Sequence, residues 1–69
     1  MGRVAVVRSD GTRFSSLLFA TISVNAFPGE VRKAALATIN GEYAEVGGYQ
    51  WTFDGLVPKV WPEKPGDEQ

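Results

Sequence analysis

The side chains that most often carry out catalysis are missing from this sequence of 69 residues. It contains no histidine and no cysteine, which removes the usual general base near neutral pH and the thiolate that serves as nucleophile or metal ligand. A serine hydroxyl would have no imidazole to activate it. The carboxylates of Glu42, Glu45 and Asp54 lie in or beside predicted turns, where solvated acids are expected. We therefore expect no enzymatic activity, no metal site and no cofactor.

Two adjacent basic residues, Arg32 and Lys33, are the best candidates for binding chemistry. Such side chains contact phosphates, and arginine also pairs with guanine edges. The same pair is typical of a solvated helix surface, and both interpretations stay open. Gly47-Gly48 is not followed by the Lys and helix of a phosphate-binding loop, so we predict a turn there.

Charge is unevenly divided along the chain. Residues 1–41 hold five basic side chains against two acidic ones, whereas residues 42–69 hold two against six. This division is typical of a basic binding half followed by an acidic end. In so short a chain it also arises by chance.

Three aromatic residues recur at every second position behind the double glycine. In a strand over residues 48–53, Tyr49, Trp51 and Phe53 would share one face, opposite Gln50 and Thr52. Three rings on one strand would form much of the core of a small domain. Exposed rings would instead be a platform for stacking bases.

The elements that precede this strand follow from turn and helix signals. Residues 3–14 predict a β-hairpin around Asp10-Gly11. Residues 28–40 predict a helix, because Pro28 suits its first turn and Asn40-Gly41 its end. Its expected inner face comprises Val31, Ala35, Leu36 and Ile39, with Arg32 and Lys33 on the opposite side.

The pattern of residues 16–24 fits a helix and a strand almost equally. Ser15 or Ser16 suits a helix N-cap, and five apolar residues would then form a helical face: Leu17, Leu18, Ala20, Ile22 and Val24. The segment 21–24 consists of weak helix formers, and alternation from Leu18 to Val24 also fits a strand.

After a second turn at Asp54-Gly55, the chain contains a short apolar return that comprises Leu56, Val57, Val60 and Trp61. Pro58 and Pro62 limit this return to an edge strand or an extended arm. Trp61 either covers the edge of the core or anchors a partner. We predict one globular domain over residues 1–61 and a disordered polar tail over residues 62–69.

The order of these segments resembles that of the small helix-turn-helix modules repeated in intron-encoded and phage homing endonucleases, the nuclease-associated modular DNA-binding type. The resemblance covers residues 4–53, and its most specific part is the final Gly-Gly-Tyr-x-Trp-x-aromatic run. The matching residues are Phe14-Ser15-Ser16-Leu17, Ala20, Thr38-Ile39-Asn40-Gly41 and Gly47-Gly48-Tyr49-Gln50-Trp51-Thr52-Phe53.

The resemblance implies an α+β fold with an N-terminal β-hairpin, two short helices in a helix-turn-helix-like arrangement, a closing β-strand and a C-terminal arm. It favours helix over strand for residues 16–24. It also implies a module without its own nuclease, a phage or mobile-element regulator that binds double-stranded DNA, as a homodimer if a monomer makes too few contacts. The DNA contacts would be Arg32, Lys33 and Asn40 on the second helix, with Arg13 and Arg8 on the hairpin.

The alternative is a phage-type inhibitor that binds a host enzyme. Small size, acidity and an apolar arm are consistent with it, and Leu56, Val57, Val60 and Trp61 would then form the contact surface. No run of residues is long and apolar enough to span a bilayer, and the N-terminus lacks a signal-peptide pattern. We therefore expect a cytoplasmic protein without a membrane partner.

Overall fold

The computed structural model describes residues 4–66 and contains one antiparallel sheet and two helices. In chain order the elements are β1 (Val6–Arg8), β2 (Arg13–Phe14), α1 (Leu17–Ser23), α2 (Pro28–Ile39) and β3 (Trp51–Phe53). The predicted α+β fold is confirmed. The predicted start of the first strand at Arg3 and the last three residues of the predicted tail lie outside the described residues.

The sheet has the order β2-β1-β3, so the first strand is the central one. Val6 lies opposite Phe14 on one side and opposite Phe53 on the other. The turn between β1 and β2 is closed by two hydrogen bonds of 2.8 Å, in which the Arg8 amide donates to the Thr12 carbonyl and the Gly11 amide to the Arg8 carbonyl. The hairpin predicted at Asp10-Gly11 is confirmed.

The ambiguous segment after the hairpin is a helix. Ser16 is its N-cap, since its Oγ accepts a hydrogen bond of 3.2 Å from the Phe19 amide. Two weak helix formers are accommodated because their hydroxyls donate back to helix carbonyls: Thr21 Oγ1 to Leu17 and Ser23 Oγ to Ala20, both at 2.7 Å.

The buried side of α1 differs from the predicted apolar face. Ala20 and Thr21 are buried, and Leu17 and Val24 pack against the core. Leu18 and Ile22 were expected on this face but are exposed. In a helix of 3.6 residues per turn, they lie about 100° or more around from Leu17 and Val24, so the sheet cannot cover both sets.

The helix predicted over residues 28–40 is confirmed as α2, which begins at Pro28 and ends at Ile39 with Asn40 as its C-cap. The chain leaves the helix through two backbone hydrogen bonds, from the Gly41 amide to the Thr38 carbonyl (3.0 Å) and from the Glu42 amide to the Ala37 carbonyl (2.7 Å). These bonds satisfy carbonyls that the end of a helix leaves without intrahelical partners.

The buried residues of α2 agree with only half of the predicted inner face. Val31 and Ala35 are buried as expected, together with Ala34 and Thr38. Leu36 and Ile39 were expected inside but are 47% and 44% exposed. The stripe follows i, i+3, i+4, i+7 spacing, and its two alanines let the helix backbone approach the sheet closely. Thr38 tolerates burial because its hydroxyl donates to the Ala34 carbonyl at 3.1 Å.

Trp51 is the centre of the core and has no exposed surface. Its ring packs against Phe14 and Tyr49, with centroid distances of 5.8 and 6.4 Å, and its indole N–H donates to the Val46 carbonyl at 3.0 Å. The aromatic strand was therefore correctly predicted as core, although β3 begins at Trp51 rather than at residue 48. Thr52, predicted on the opposite face, is also fully buried.

The double glycine forms the predicted turn. The amides and carbonyls of Val46 and Tyr49 exchange two hydrogen bonds, at 2.9 and 3.2 Å. Both glycines between them have positive φ, +66° at Gly47 and +88° at Gly48, as the two central residues of a type I′ turn require. The turn places the Val46 carbonyl where it accepts the hydrogen bond from the indole N–H of Trp51.

The segment after β3 is an extended arm rather than an edge strand. The Asp54-Gly55 turn is confirmed by a 3.0 Å hydrogen bond from the Leu56 amide to the Phe53 carbonyl. Residues 56–66 contain neither helix nor strand. Within residues 4–66, no helix has the length and apolar character needed to cross a bilayer.

Candidate functional site

The solvent side of α2 carries the two basic residues that the sequence singled out. Arg32 and Lys33 are exposed, and within residues 4–66 neither forms an ion pair. The helix beneath them is fixed to β3 by its buried stripe, so their backbone positions are set by the core. Asn40 is exposed at the carboxyl end of the same helix.

Arg32 belongs to a ridge with two aliphatic residues. Arg32, Leu36 and Ile39 have i, i+4, i+7 spacing, which places them on one side of α2, and all three are exposed. We call these three residues the α2 ridge. The ridge was not predicted from the sequence, because Leu36 and Ile39 were expected in the core. The signal that would have found it is the pair Ala34-Ala35, since an alanine-lined stripe allows close packing.

Lys33 is not part of the α2 ridge. It lines an acidic groove of about 410 Å³ next to the ridge. Lining residues of this groove include Glu30, Glu42, Tyr43 and Glu45. The Tyr43 hydroxyl donates to a Glu45 carboxylate oxygen at 2.6 Å, and this bond raises the pKa of Tyr43. Three carboxylates make the groove side of α2 unfavourable for a phosphate backbone.

Arg8 is held within the domain by its neighbours. Its guanidinium pairs with the Asp10 carboxylate at 2.9 Å and lies 4.2 Å from the ring centroid of Tyr49 and 5.3 Å from that of Phe14. The hydrogen bond to Asp10 raises the pKa of Arg8, and the same bond holds the pKa of Asp10 well below its usual range. Only 17% of the Arg8 side chain is exposed, so little of it can reach a ligand.

Arg13 is more accessible than Arg8. Its Nε donates to the Asp54 carboxylate at 3.0 Å, and more than half of its side chain is exposed. Exposed ion pairs of this kind contribute about 0–1 kcal/mol, so a phosphate can compete for the guanidinium. The predicted DNA contacts therefore fall into three groups. Arg32 and Lys33 lie on α2 with Asn40 at its C-cap, and Arg13 is accessible on the hairpin. The guanidinium of Arg8 is instead engaged by side chains of its own domain.

The residues of the alternative site all lie on the arm after β3. Leu56, Val57 and Val60 are exposed, whereas Trp61 is half-buried. The half-burial of Trp61 is consistent with a ring that covers part of the domain, one of the two roles considered for it.

A second exposed apolar surface lies on α1 and was not predicted. Leu18, Phe19 and Ile22 are each more than half exposed, and Phe27, the N-cap of α2, is 73% exposed. We call these four residues the α1 face. Leu18 and Ile22 had been assigned to the inner side of the helix, which hid the pattern in the sequence.

The fold and the surfaces together define a class: a small α+β module with a helix pair packed on a three-stranded sheet. No protein-family model matches this chain, and no curated protein or solved structure gives a significant match. Its function is therefore inferred from the surfaces themselves.

Proposed function

We propose that the protein is a small non-catalytic module that binds double-stranded DNA through α2. The observation that carries this proposal is the α2 ridge, where two exposed aliphatic side chains and an arginine that forms no ion pair within residues 4–66 share one side of a helix anchored to the sheet.

The side chains of the α2 ridge match the chemistry of the major groove. Arginine binds the O6 and N7 atoms of guanine in a bidentate manner, and aliphatic side chains contact the methyl group of thymine. A helix of 12 residues is about 18 Å long at about 1.5 Å per residue, and its diameter suits the major groove. Arg32 lies in the first half of the helix, where groove contacts of recognition helices are concentrated.

The acidic groove determines which side of α2 can approach DNA. Glu30, Glu42 and Glu45 line the groove beside Lys33, so a duplex placed against the α2 ridge keeps its phosphates away from these carboxylates. Arg32 then carries more of the affinity than Lys33. With few phosphates neutralised, the affinity should fall moderately with salt, by about one unit of log–log slope per phosphate contacted.

The test is fluorescence anisotropy of a labelled mixed-sequence duplex at low and at physiological salt. We expect binding that Arg32→Glu with Lys33→Glu weakens at least about tenfold, since each lost contact is worth about 1–3 kcal/mol. The matched control is Lys59→Glu with Lys64→Glu, which makes the same change in net charge on the exposed arm. Absence of binding at low salt, or equal losses for the two double variants, would refute binding through α2.

A second candidate function is binding to a protein, such as a host enzyme that the chain inhibits. It is favoured by the exposure of Leu56, Val57 and Val60 on the arm. Under this proposal, Val57→Lys with Val60→Lys abolishes inhibition of the purified target, while Arg32→Glu with Lys33→Glu leaves it intact. The opposite pattern would exclude the arm as the contact surface.

A further inference from the structure

The α2 ridge presents its three side chains in a fixed order along the helix. At about 100° per residue, Arg32, Leu36 and Ile39 lie within an arc of about 60°. At about 1.5 Å per residue, they are separated by about 6 Å and about 4.5 Å along the helix axis. All three are exposed. A ligand on the ridge therefore meets one cationic side chain followed by two apolar ones, in a row.

The helix that carries the ridge is held by buried residues on its other side. Val31 and Ala35 have no exposed surface, and Ala34 is only 1% exposed. Thr38 is buried as well, with its hydroxyl bonded to the Ala34 carbonyl at 3.1 Å. Because these residues fix the backbone, the order and spacing of the ridge are set before a ligand binds.

The acidic groove is turned away from the ridge. Glu30, Lys33 and Ala37 line the groove, and helical geometry places them about 100–160° around the axis from Arg32. Within residues 4–66, Arg32 forms no ion pair. Its guanidinium is therefore available to hydrogen-bond acceptors of a ligand.

We propose that the α2 ridge reads three successive base pairs, a G·C pair at Arg32 followed by A·T pairs at Leu36 and at Ile39. This proposal rests on the proposed binding of DNA through α2 and adds the sequence that is preferred. Side chains about one turn apart on a recognition helix contact successive bases, as in zinc fingers. The residues of the ridge have this spacing.

The chemistry of each side chain selects its base pair. The arginine guanidinium donates two hydrogen bonds to O6 and N7 of guanine, a pair of acceptors that no other base presents in the major groove. Leu36 and Ile39 have no hydrogen-bonding groups, so they favour the methyl group of thymine. A G·C pair would offer them no methyl group and would lose water from its polar edges without a replacement. The thymine of each A·T pair serves on either strand, since its methyl group lies in the major groove in both orientations.

The test is fluorescence anisotropy of the full chain with labelled duplexes of equal length and repeating sequence. Duplexes that repeat GTT or GAA contain the proposed order of base pairs in both directions, with thymine on the same strand as guanine or on the opposite one. We expect the tighter-binding of these two duplexes to bind at least about tenfold more tightly than a duplex that repeats GCC, in which both A·T pairs are lost.

Base analogues test the individual contacts. Uracil in place of thymine removes only the methyl group and should weaken binding at least about threefold. Replacement of guanine by 7-deazaguanine removes the N7 acceptor and should weaken binding at least about fivefold. The uracil effect should disappear in Leu36→Ala with Ile39→Ala, and the 7-deazaguanine effect in Arg32→Ala. In each case the protein change and the base change remove the same contact, so their effects are not additive.

The matched control is Leu56→Ala with Val57→Ala, which truncates two exposed aliphatic residues on the arm and should keep both analogue effects. Equal binding to the three repeating duplexes, or analogue effects that persist in the ridge variants, would overturn the base preference and leave the binding of DNA in place. Absence of binding to every duplex at low salt would overturn both proposals. Circular dichroism establishes that each variant is folded.

Discussion

Replacement of Gly47 by alanine tests how tightly the Gly47-Gly48 turn is packed against the end of α1. A Cβ atom on Gly47 would lie 2.7 Å from Val24 Cγ1 and closer still to Val24 Cβ. Real Cβ atoms do not approach other carbons so closely, so either the turn or the C-cap of α1 must move. Gly48 is the natural comparison, because a Cβ atom there meets nothing within 4 Å.

Two energetic terms, the positive φ of each glycine and the clash at Gly47, set the expected loss in free energy of unfolding. Alanine at positive φ costs roughly 1–2 kcal/mol at either position, since φ is +66° at Gly47 and +88° at Gly48. The clash with Val24 adds about 1–3 kcal/mol at Gly47 only. The loss of chain entropy in the unfolded state is shared by both variants and cancels in the comparison. We therefore expect a loss of about 2–5 kcal/mol for Gly47→Ala and about 1–2 kcal/mol for Gly48→Ala.

The assay is equilibrium unfolding in guanidinium chloride, followed by tryptophan fluorescence, to which the buried Trp51 and the half-buried Trp61 both contribute. A domain of this size has a free energy of unfolding of about 3–10 kcal/mol, so Gly47→Ala should move the unfolding midpoint to a much lower denaturant concentration than Gly48→Ala does. Gly47→Ala should cost less in a Val24→Gly background than in the wild type, because Val24→Gly removes all the clashing atoms. Equal midpoints for Gly47→Ala and Gly48→Ala, or the same cost of Gly47→Ala with and without Val24→Gly, would refute the predicted contact.

Two further predictions concern local hydrogen bonds. Ser16→Ala should lower the free energy of unfolding by about 0.5–2 kcal/mol because it removes the N-cap of α1. Ser15→Ala should have little effect in the same unfolding assay. Equal losses for the two variants would contradict the assignment of Ser16 as the N-cap. Asp10→Asn should destabilise the domain at neutral pH. The pKa of Asp10 is depressed in the folded state, so its stabilising effect is present above its ordinary pKa of about 3.9 and is lost as pH falls through the folded-state value. Thermal unfolding from pH 7 to pH 2 should therefore show the wild type and Asp10→Asn converging at low pH, and a gap that stays constant would contradict this.

Local signals predicted the turns and the longer helix well. Asp10-Gly11, Gly47-Gly48 and Asp54-Gly55 each required positive φ or a tight reversal, which few other residues supply. The helix from Pro28 was fixed by its first-turn proline and by Asn40-Gly41 at its end. These features depend on neighbours in sequence, which a single chain displays directly.

The surfaces were harder to predict because they depend on which elements pack together. Leu36 and Ile39 look like core residues until Ala34 is seen to take the place next to the sheet. Leu18 and Ile22 likewise fit an inner helical face when the position of the sheet is unknown. The contact of the Arg8 guanidinium with the Tyr49 ring also joins residues more than 40 positions apart, and no local pattern indicates it.

The central position of β1 has a consequence for how the chain folds. Val6 needs both Phe14 and Phe53 as neighbours, and the second of these is synthesised 47 residues after Val6. A nascent chain that stops before β3 lacks Trp51, around which the helices and the hairpin pack. The native core therefore forms only after a long loop has closed, a step that costs chain entropy. We expect a nascent chain that ends before Phe53 to lack a stable subdomain and to expose apolar residues that chaperones and proteases recognise.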